Sequence, residues 1–153
     1  MRIFLTGATG FIGSKIIPEL LQAGHQVLGL TRSEAGAKQL MTAGVEVHRG
    51  DLDDPTSLRR GAEKADAVIH CAFDHDFSRF VENCQKDKRN IEAMGEALVG
   101  SKRPLLITSG TGMGSRGRGE LASEDVYDPT HANPRKITEE TGAAVAARGV
   151  NVS

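Results

Sequence analysis

Short apolar runs alternate with amphipathic stretches along the whole of this chain, and few architectures accept that alternation. "RIFLT" (2–6), "QVLGLT" (26–31), "VEVHR" (45–49), "DAVIHCA" (66–72) and "PLLITS" (104–109) each read as strands. Helical patterns separate them: about Phe11 to Ala23, 33–44, 54–65, about Phe77 to Val99, and 134–148. In the first, Ile12, Ile16, Ile17, Leu20 and Leu21 share a face at helical spacing, and Gly24 stands where a C-terminal cap belongs. Strands that alternate with helices build βαβ units around a parallel sheet, with right-handed crossovers. The expectation is a doubly wound α/β protein of three layers, α/β/α, with strand order 3-2-1-4-5. Ile3, Leu5, Val27, Leu28, Val68, Ile69, Leu106 and Ile107 are its expected core. After Gly149 the alternating Val150 and Val152 read as the opening of a sixth strand, so the chain is expected to be truncated there, with a C-terminal substrate-binding part lying beyond.

Composition narrows the function classes. With 153 residues, 25% charged and 39% apolar, the chain suits a single globular domain, taken here as residues 1–153. A formal net charge of −1 gives no electrostatic footprint for nucleic acid or an anionic membrane. No apolar run approaches the roughly 18 residues of a membrane span, and residues 1–5 enter a strand directly, without a secretory pattern. Cys71 and Cys84 form neither a disulfide framework nor a ligand cluster; they read as apolar fillers, and a reducing cytoplasm is expected.

The first strand-to-helix turn carries the chemistry. In "IFLTGATGFIGSKII" (3–17), Gly7, Gly10 and Gly13 stand at even spacing between strand and helix. A helix N-terminus at the carboxyl end of a parallel sheet offers unpaired N–H groups and a positive dipole end, which suit a pyrophosphate. Gly7 makes the tight turn, Gly10 lets a phosphate approach, and Gly13 lets helix and strand pack closely. Thr9, Phe11 and Ile12 lie in the same turn and are expected contacts. It is not a P-loop, since Ser14 rather than Lys follows Gly13. The second strand ends in Arg32 and Ser33, where NAD-binding proteins commonly carry an acidic residue for the ribose. Arg32 as a fork for a 2′-phosphate, with the Ser33 hydroxyl beside it, favours NADP. An ordinary exposed arginine is the alternative, and Glu34 keeps NAD possible.

These residues carry a resemblance. "TGATGFIG" has the GxxGxxG spacing of extended and atypical short-chain dehydrogenases/reductases, and the likeness continues through "GDLDDPTSL", "ADAVIHCAF" and "PLLITSGTG". The chain most resembles atypical members of the NAD-dependent epimerase/dehydratase superfamily, of 3β-hydroxysteroid-dehydrogenase-like type, and hence a Rossmann fold. The resemblance implies that Asp51 and Leu52 border the adenine, though Asp51 could equally cap the helix at Pro55. Ala72 and Phe73 would follow the middle of the cofactor, and Thr108 is a further expected cofactor contact. His75, between Asp74 and Asp76, reads as an exposed polar turn rather than a metal ligand.

The catalytic signature of that family is incomplete. Its members use a Tyr with a Lys four residues on, so that a phenolate exchanges a proton while hydride moves. The single tyrosine, Tyr127, is followed at that spacing by His131. Aligned by the "NP" entrance of the last helix, Arg135 and Glu139 stand in the Tyr and Lys places, and their spacing reads as a surface ion pair. Just past the fifth strand Gly110 falls where the family has Ser or Thr, leaving Ser109 and Thr111 as displaced catalytic candidates or as mere turn hydroxyls. Asn90, near the family's helical asparagine, reads as a surface residue. The loop "GTGMGSRGRGE" reads as a flexible cover over a substrate site or as disorder. The resulting expectation is an NADP-dependent oxidoreductase acting on a small carbonyl or alcohol, with oligomeric state open. A non-catalytic NADP(H) sensor and a sugar-nucleotide epimerase or dehydratase are the alternatives.

Overall fold

The computed structural model describes residues 1–114, 119, 121, 123, 126 and 128–153. In chain order the elements are β1 (Arg2–Thr6), α1 (Phe11–Gln22), β2 (Gln26–Thr31), α2 (Glu34–Thr42), β3 (Glu46–Arg49), α3 (Pro55–Glu63), β4 (Ala67–His70), α4 (Phe80–Glu96), β5 (Pro104–Ile107), α5 (Lys136–Ala146) and β6 (Asn151–Val152). The strands form one sheet in the order β3-β2-β1-β4-β5-β6, and every neighbouring pair is parallel. The chain runs outward from β1 to β3, then returns to β4 on the other side of β1. That reversal opens a crevice at the carboxyl ends of β1 and β4.

Each face of the sheet has its own core, because successive strand residues point to opposite sides. Phe4, Leu28, Val68 and Leu105 pack with Leu58 and Ala62 of α3, Ile91 and Met94 of α4 and Val145 of α5. Leu5 and Val27 pack on the other side with Ile17 of α1 and Leu40 of α2. The helix ends follow local chemistry. Gly24, at φ +78°, closes α1 with its N–H on the Leu21 carbonyl while the His25 N–H reaches Leu20. The Ser33 side chain caps α2, and Pro55 occupies the first turn of α3.

Several expectations need correction. Leu106 is 42% exposed, while Ile69 and Ile107 are only half-buried. Leu105 faces the α3–α5 core, so Leu106 must face the opposite side, where α1 and α2 pack on β2 and β3 rather than on β5. Of the predicted α1 stripe only Ile17 is buried, and Ile12 is 53% exposed. The helix read from about Phe77 begins as a single 3-10 turn, Phe77–Arg79, capped by Asp76, before α4 proper. Finally, α4 buries Asn83, Lys86, Asp87 and Asn90. Buried polar groups on this scale require partners, and those partners define the site.

Candidate functional site

The crevice at the carboxyl ends of β1, β2 and β4 holds two adjoining cavities, of about 350 Å³ and about 560 Å³. Gly7, Thr9, Ala72, Phe73 and His75 border both, while Gly10, Phe11, Ile12 and Gly13 line the larger one. The glycines divide their work by geometry. Gly7 has φ +67°, and a Cβ there would lie 2.8 Å from the Cys71 carbonyl carbon, so conformation and space both demand glycine. A Cβ on Gly13 would overlap the Gly7 carbonyl oxygen, so this residue lets α1 close onto β1. Gly10 is different. Its φ of −80° suits any residue, and a Cβ would meet only the Gly7 oxygen, at 3.2 Å. A side chain at Gly10 would project into otherwise open space, beside a helix N-terminus that no side chain caps and whose first turn carries no acidic residue. The cradle therefore fits a pyrophosphate, which would accept from the free first-turn N–H groups.

Arg32, Ser33, Asp51 and Leu52 line the smaller cavity. The Arg32 side chain is 77% exposed and reaches only to 3.8 Å from Asp51, a loose contact that leaves its fork available. Glu34 forms an ion pair with Arg49 of β3. Ser33 Oγ accepts the Gly36 N–H at 3.0 Å, which leaves its hydroxyl hydrogen to donate. Asp51 is not the cap of α3, since Asp54 holds that position; its Oδ1 instead accepts the Asp53 N–H at 3.1 Å. Sequence reasoning missed what holds this loop. Asn90 is 1% exposed rather than a surface residue, and its Nδ2 donates to the Leu52 carbonyl at 3.1 Å. One turn earlier Lys86 bridges Asp53, at 2.7 Å, and Asp74, at 3.0 Å. These contacts raise the Lys86 pKa, chiefly through the hydrogen bond to Asp53, and lower that of Asp74, chiefly through the hydrogen bond from Lys86. The i,i+4 spacing puts Lys86 and Asn90 on one face of α4, but by itself it reads as ordinary helix surface.

On the β4–β5 side, the predicted residues scatter. Thr108 Oγ donates to the His70 carbonyl at 3.0 Å. Among the described residues the buried Ser109 Oγ has no hydrogen-bond partner, whereas Thr111 is exposed. Tyr127 and much of the "GTGMGSRGRGE" loop lie outside the described residues. His75 is exposed, edge-on to Phe73 with ring centroids 5.5 Å apart. Cys84 is buried and Cys71 half-buried, and burial pushes both thiols up. Among the described residues no group of three or more His, Cys, Asp or Glu could hold a metal ion.

Arg135 requires the largest correction. It is 8% exposed and is not half of a surface pair with Glu139. Its guanidinium lies 3.7 Å from the Phe73 ring centroid, donates to the Thr108 carbonyl at 3.0 Å and stands 3.4 Å from Asp87 Oδ2. Nη1, the atom nearest Asp87, makes no hydrogen bond among the described residues, so this contact is an ion pair only. The reason lies on α4. Asp87, 3% exposed, needs a counter-charge, and the entrance of α5 supplies it.

Asp87 also joins His70 Nε2 at 3.1 Å and Thr138 Oγ1 at 2.7 Å. Burial pushes its carboxyl up, but the His70 hydrogen bond and the charges around it outweigh burial and hold it below the usual range. Thr6 Oγ1 accepts the Ala72 N–H at 3.2 Å and lies 2.6 Å from His70 Nδ1. The Asp87 carboxylate can only accept, so Nε2 carries the hydrogen toward it, and in the neutral ring Nδ1 accepts the Thr6 hydroxyl hydrogen. One polar network thus runs through the protein from β1 to α5 and ends under Phe73.

Residues 3–135 match the NAD dependent epimerase/dehydratase family. The chain belongs to that family. An uncharacterized protein of Schizosaccharomyces pombe is 48% identical over 153 residues, covering 100% of this chain and 52% of the relative. The sterol-4-alpha-carboxylate 3-dehydrogenase, decarboxylating, of Dictyostelium discoideum is 39% identical over 93 residues, 60% of this chain and 28% of that protein. It supports a 3β-hydroxysteroid-dehydrogenase-like placing within the epimerase/dehydratase family. Among solved structures, Thermus thermophilus UDP-glucose 4-epimerase in complex with NAD superposes with a TM-score of 0.76 at 25% identity, covering 99% of this chain and 53% of that one. The chain thus spans about half the length of the yeast relative and of this epimerase. Among the described residues no helix is long and apolar enough to cross a membrane.

Proposed function

We propose that residues 1–153 form the dinucleotide-binding domain of an NADP-dependent oxidoreductase of the atypical short-chain type, acting on a small carbonyl or alcohol. The observation that carries this reading is the glycine cradle, where Gly10 lines the larger cavity with only the Gly7 oxygen near its missing Cβ, and heads a helix whose N-terminus no described side chain caps. Gly7, Thr9, Gly10, Phe11, Ile12 and Gly13 would hold the pyrophosphate. Asp51 and Leu52 would border the adenine, while Ala72, Phe73 and Thr108 would follow the rest of the cofactor. Arg32 and Ser33 favour NADP, because the Arg32 fork is exposed while the nearby carboxylate of Glu34 is engaged by Arg49. Once bound, the dinucleotide supplies the hydride.

The protein's own contribution to the reacting end is a hydrogen-bond donor. Ser109 Oγ, which has no hydrogen-bond partner among the described residues, is suited to donate to a substrate oxygen. Thr111, exposed on the same loop, is the second candidate. A neutral hydroxyl is a weak proton source near neutral pH, so slow turnover is expected from these residues unless the remainder of the longer protein adds an acid. The sensor reading keeps one specific support: where the family has its phenol, Arg135 is committed to Asp87, Phe73 and the Thr108 carbonyl. Epimerase or dehydratase chemistry ranks last, for want of the Tyr–Lys couple.

The test is twofold, on the full-length protein. NADPH and NADH are titrated calorimetrically, and NADPH oxidation is followed against a panel of ketones, aldehydes and enones. Tighter binding of NADPH with turnover of a panel member is the expected result. Tight binding with no turnover favours the sensor, and no binding of either dinucleotide overturns both.

A further inference from the structure

Resting on the dinucleotide reading, we infer that Arg135 is a positioning residue that acts through Phe73: its guanidinium fixes the phenyl ring at the junction of the two cavities and so sets how tightly the dinucleotide is held. Phe73 borders both cavities, the one lined by Gly10 and Gly13 of the glycine cradle and the one lined by Asp74 and Lys86. A phenylalanine on a loop past β4 has two free χ angles and needs something to hold it. His75 and Phe80 touch it edge-on, at 5.5 and 6.0 Å between centroids. Arg135 lies over the ring at 3.7 Å, the distance of a close cation–π stack.

The guanidinium is itself immobilised. It donates to the Thr108 carbonyl at the end of β5 and stands against Asp87, which His70 and Thr138 hold from two other elements. The Arg135 N–H donates to Asn133 Oδ1 at 2.9 Å, which fixes the backbone just before α5. The plane that supports Phe73 is therefore anchored in β4, β5, α4 and the α5 entrance at once. A lysine could neutralise Asp87, but it has no planar face to lay on the ring. Charge and stacking can thus be separated by one substitution.

The experiment uses full-length protein carrying Arg135→Lys, Arg135→Ala, Phe73→Leu and the double variant Arg135→Lys with Phe73→Leu. Each is unfolded in urea without ligand and titrated calorimetrically with NADPH, under conditions where it is folded. Arg135→Lys is expected to keep most of the stability that Arg135→Ala loses, yet to weaken NADPH about fivefold to tenfold. Phe73→Leu should weaken NADPH by at least as much, and the double variant no further than Phe73→Leu alone, because the arginine then has no ring to hold. Parent-like NADPH affinity in Arg135→Lys overturns the inference, as do losses that simply multiply in the double variant. If the parent binds no dinucleotide, the dinucleotide reading falls, and the inference falls with it. The Arg135–Phe73 coupling in urea then still reports the contact alone, which keeps the two failures apart.

Discussion

Asp87→Asn tests the buried network most directly. The change keeps the shape of the side chain and removes its charge. In the parent, one oxygen of Asp87 lies 3.1 Å from His70 Nε2, and the other takes the Thr138 hydroxyl at 2.7 Å with Arg135 at 3.4 Å. An amide offers only one oxygen. Turned one way, its NH2 meets the His70 Nε2–H; turned the other, the Thr138 hydroxyl can accept it, but it then faces the Arg135 guanidinium, so a donor–donor contact remains unless His70 changes tautomer. Arg135, 8% exposed, also loses its counter-charge. Removing one member of a buried ion pair costs about 3–5 kcal/mol. Because Arg135 retains the Thr108 carbonyl and the Phe73 ring, the lower end applies, about 3 kcal/mol. For a chain of this size that corresponds to a fall in Tm of roughly 6–12 °C, at about 2–4 °C per kcal/mol. Urea unfolding at neutral pH measures it. The pH dependence supplies an independent check of sign. The Asp87 carboxyl is held below its ordinary range when folded, so its stabilisation is present above the unfolded carboxyl pKa and is lost as pH falls through the folded value. Parent and variant stabilities should therefore converge in acid. A neutral-pH loss below about 1 kcal/mol, or a gap that widens in acid, would refute the reasoning.

Other perturbations separate the parts of the cleft. Arg32→Ala should cost NADPH roughly 1.5–3 kcal/mol, more than tenfold in affinity, while leaving NADH nearly unchanged in calorimetric titration; equal affinities in the parent would show that Arg32 points elsewhere. Gly10→Val should abolish binding of both dinucleotides while lowering urea stability less than a change at Gly13, because Gly10 has an ordinary φ and its Cβ would press only on the Gly7 carbonyl oxygen, at 3.2 Å. Gly13→Ala should instead destabilise the fold, by about 1–3 kcal/mol as overpacking does, since its Cβ would overlap the Gly7 carbonyl. Lys86→Met should return the Asp74 carboxyl toward its ordinary pKa, read by carboxyl-carbon NMR, because the Lys86 hydrogen bond is the main cause of its lowering.

The sequence by itself determined the parallel sheet, its strand order and the glycine turn. All three rest on short-range patterns, namely period-2 and period-3.6 hydrophobicity and three glycines between a strand and a helix. Ile3, Leu5, Val27, Leu28 and Val68 are buried as their pattern requires. Leu106 is not, because burial of a strand residue depends on which helix covers its face, and that is set by the packing of whole layers. The same holds, with greater consequence, for Asp87, Asn90 and Arg135. Along α4 and α5 their spacing looks like that of solvated helix surface, since local sequence carries no record of what lies opposite. Only the tertiary structure brings Arg135 to Asp87 across 48 positions of sequence, and His70 to Asp87 across 17. A buried carboxylate acquires its meaning from partners on other elements, because in a low-dielectric interior an unpaired charge is too costly to keep. The cradle was therefore legible as a string of residues, whereas the network beneath Phe73 exists only in three dimensions.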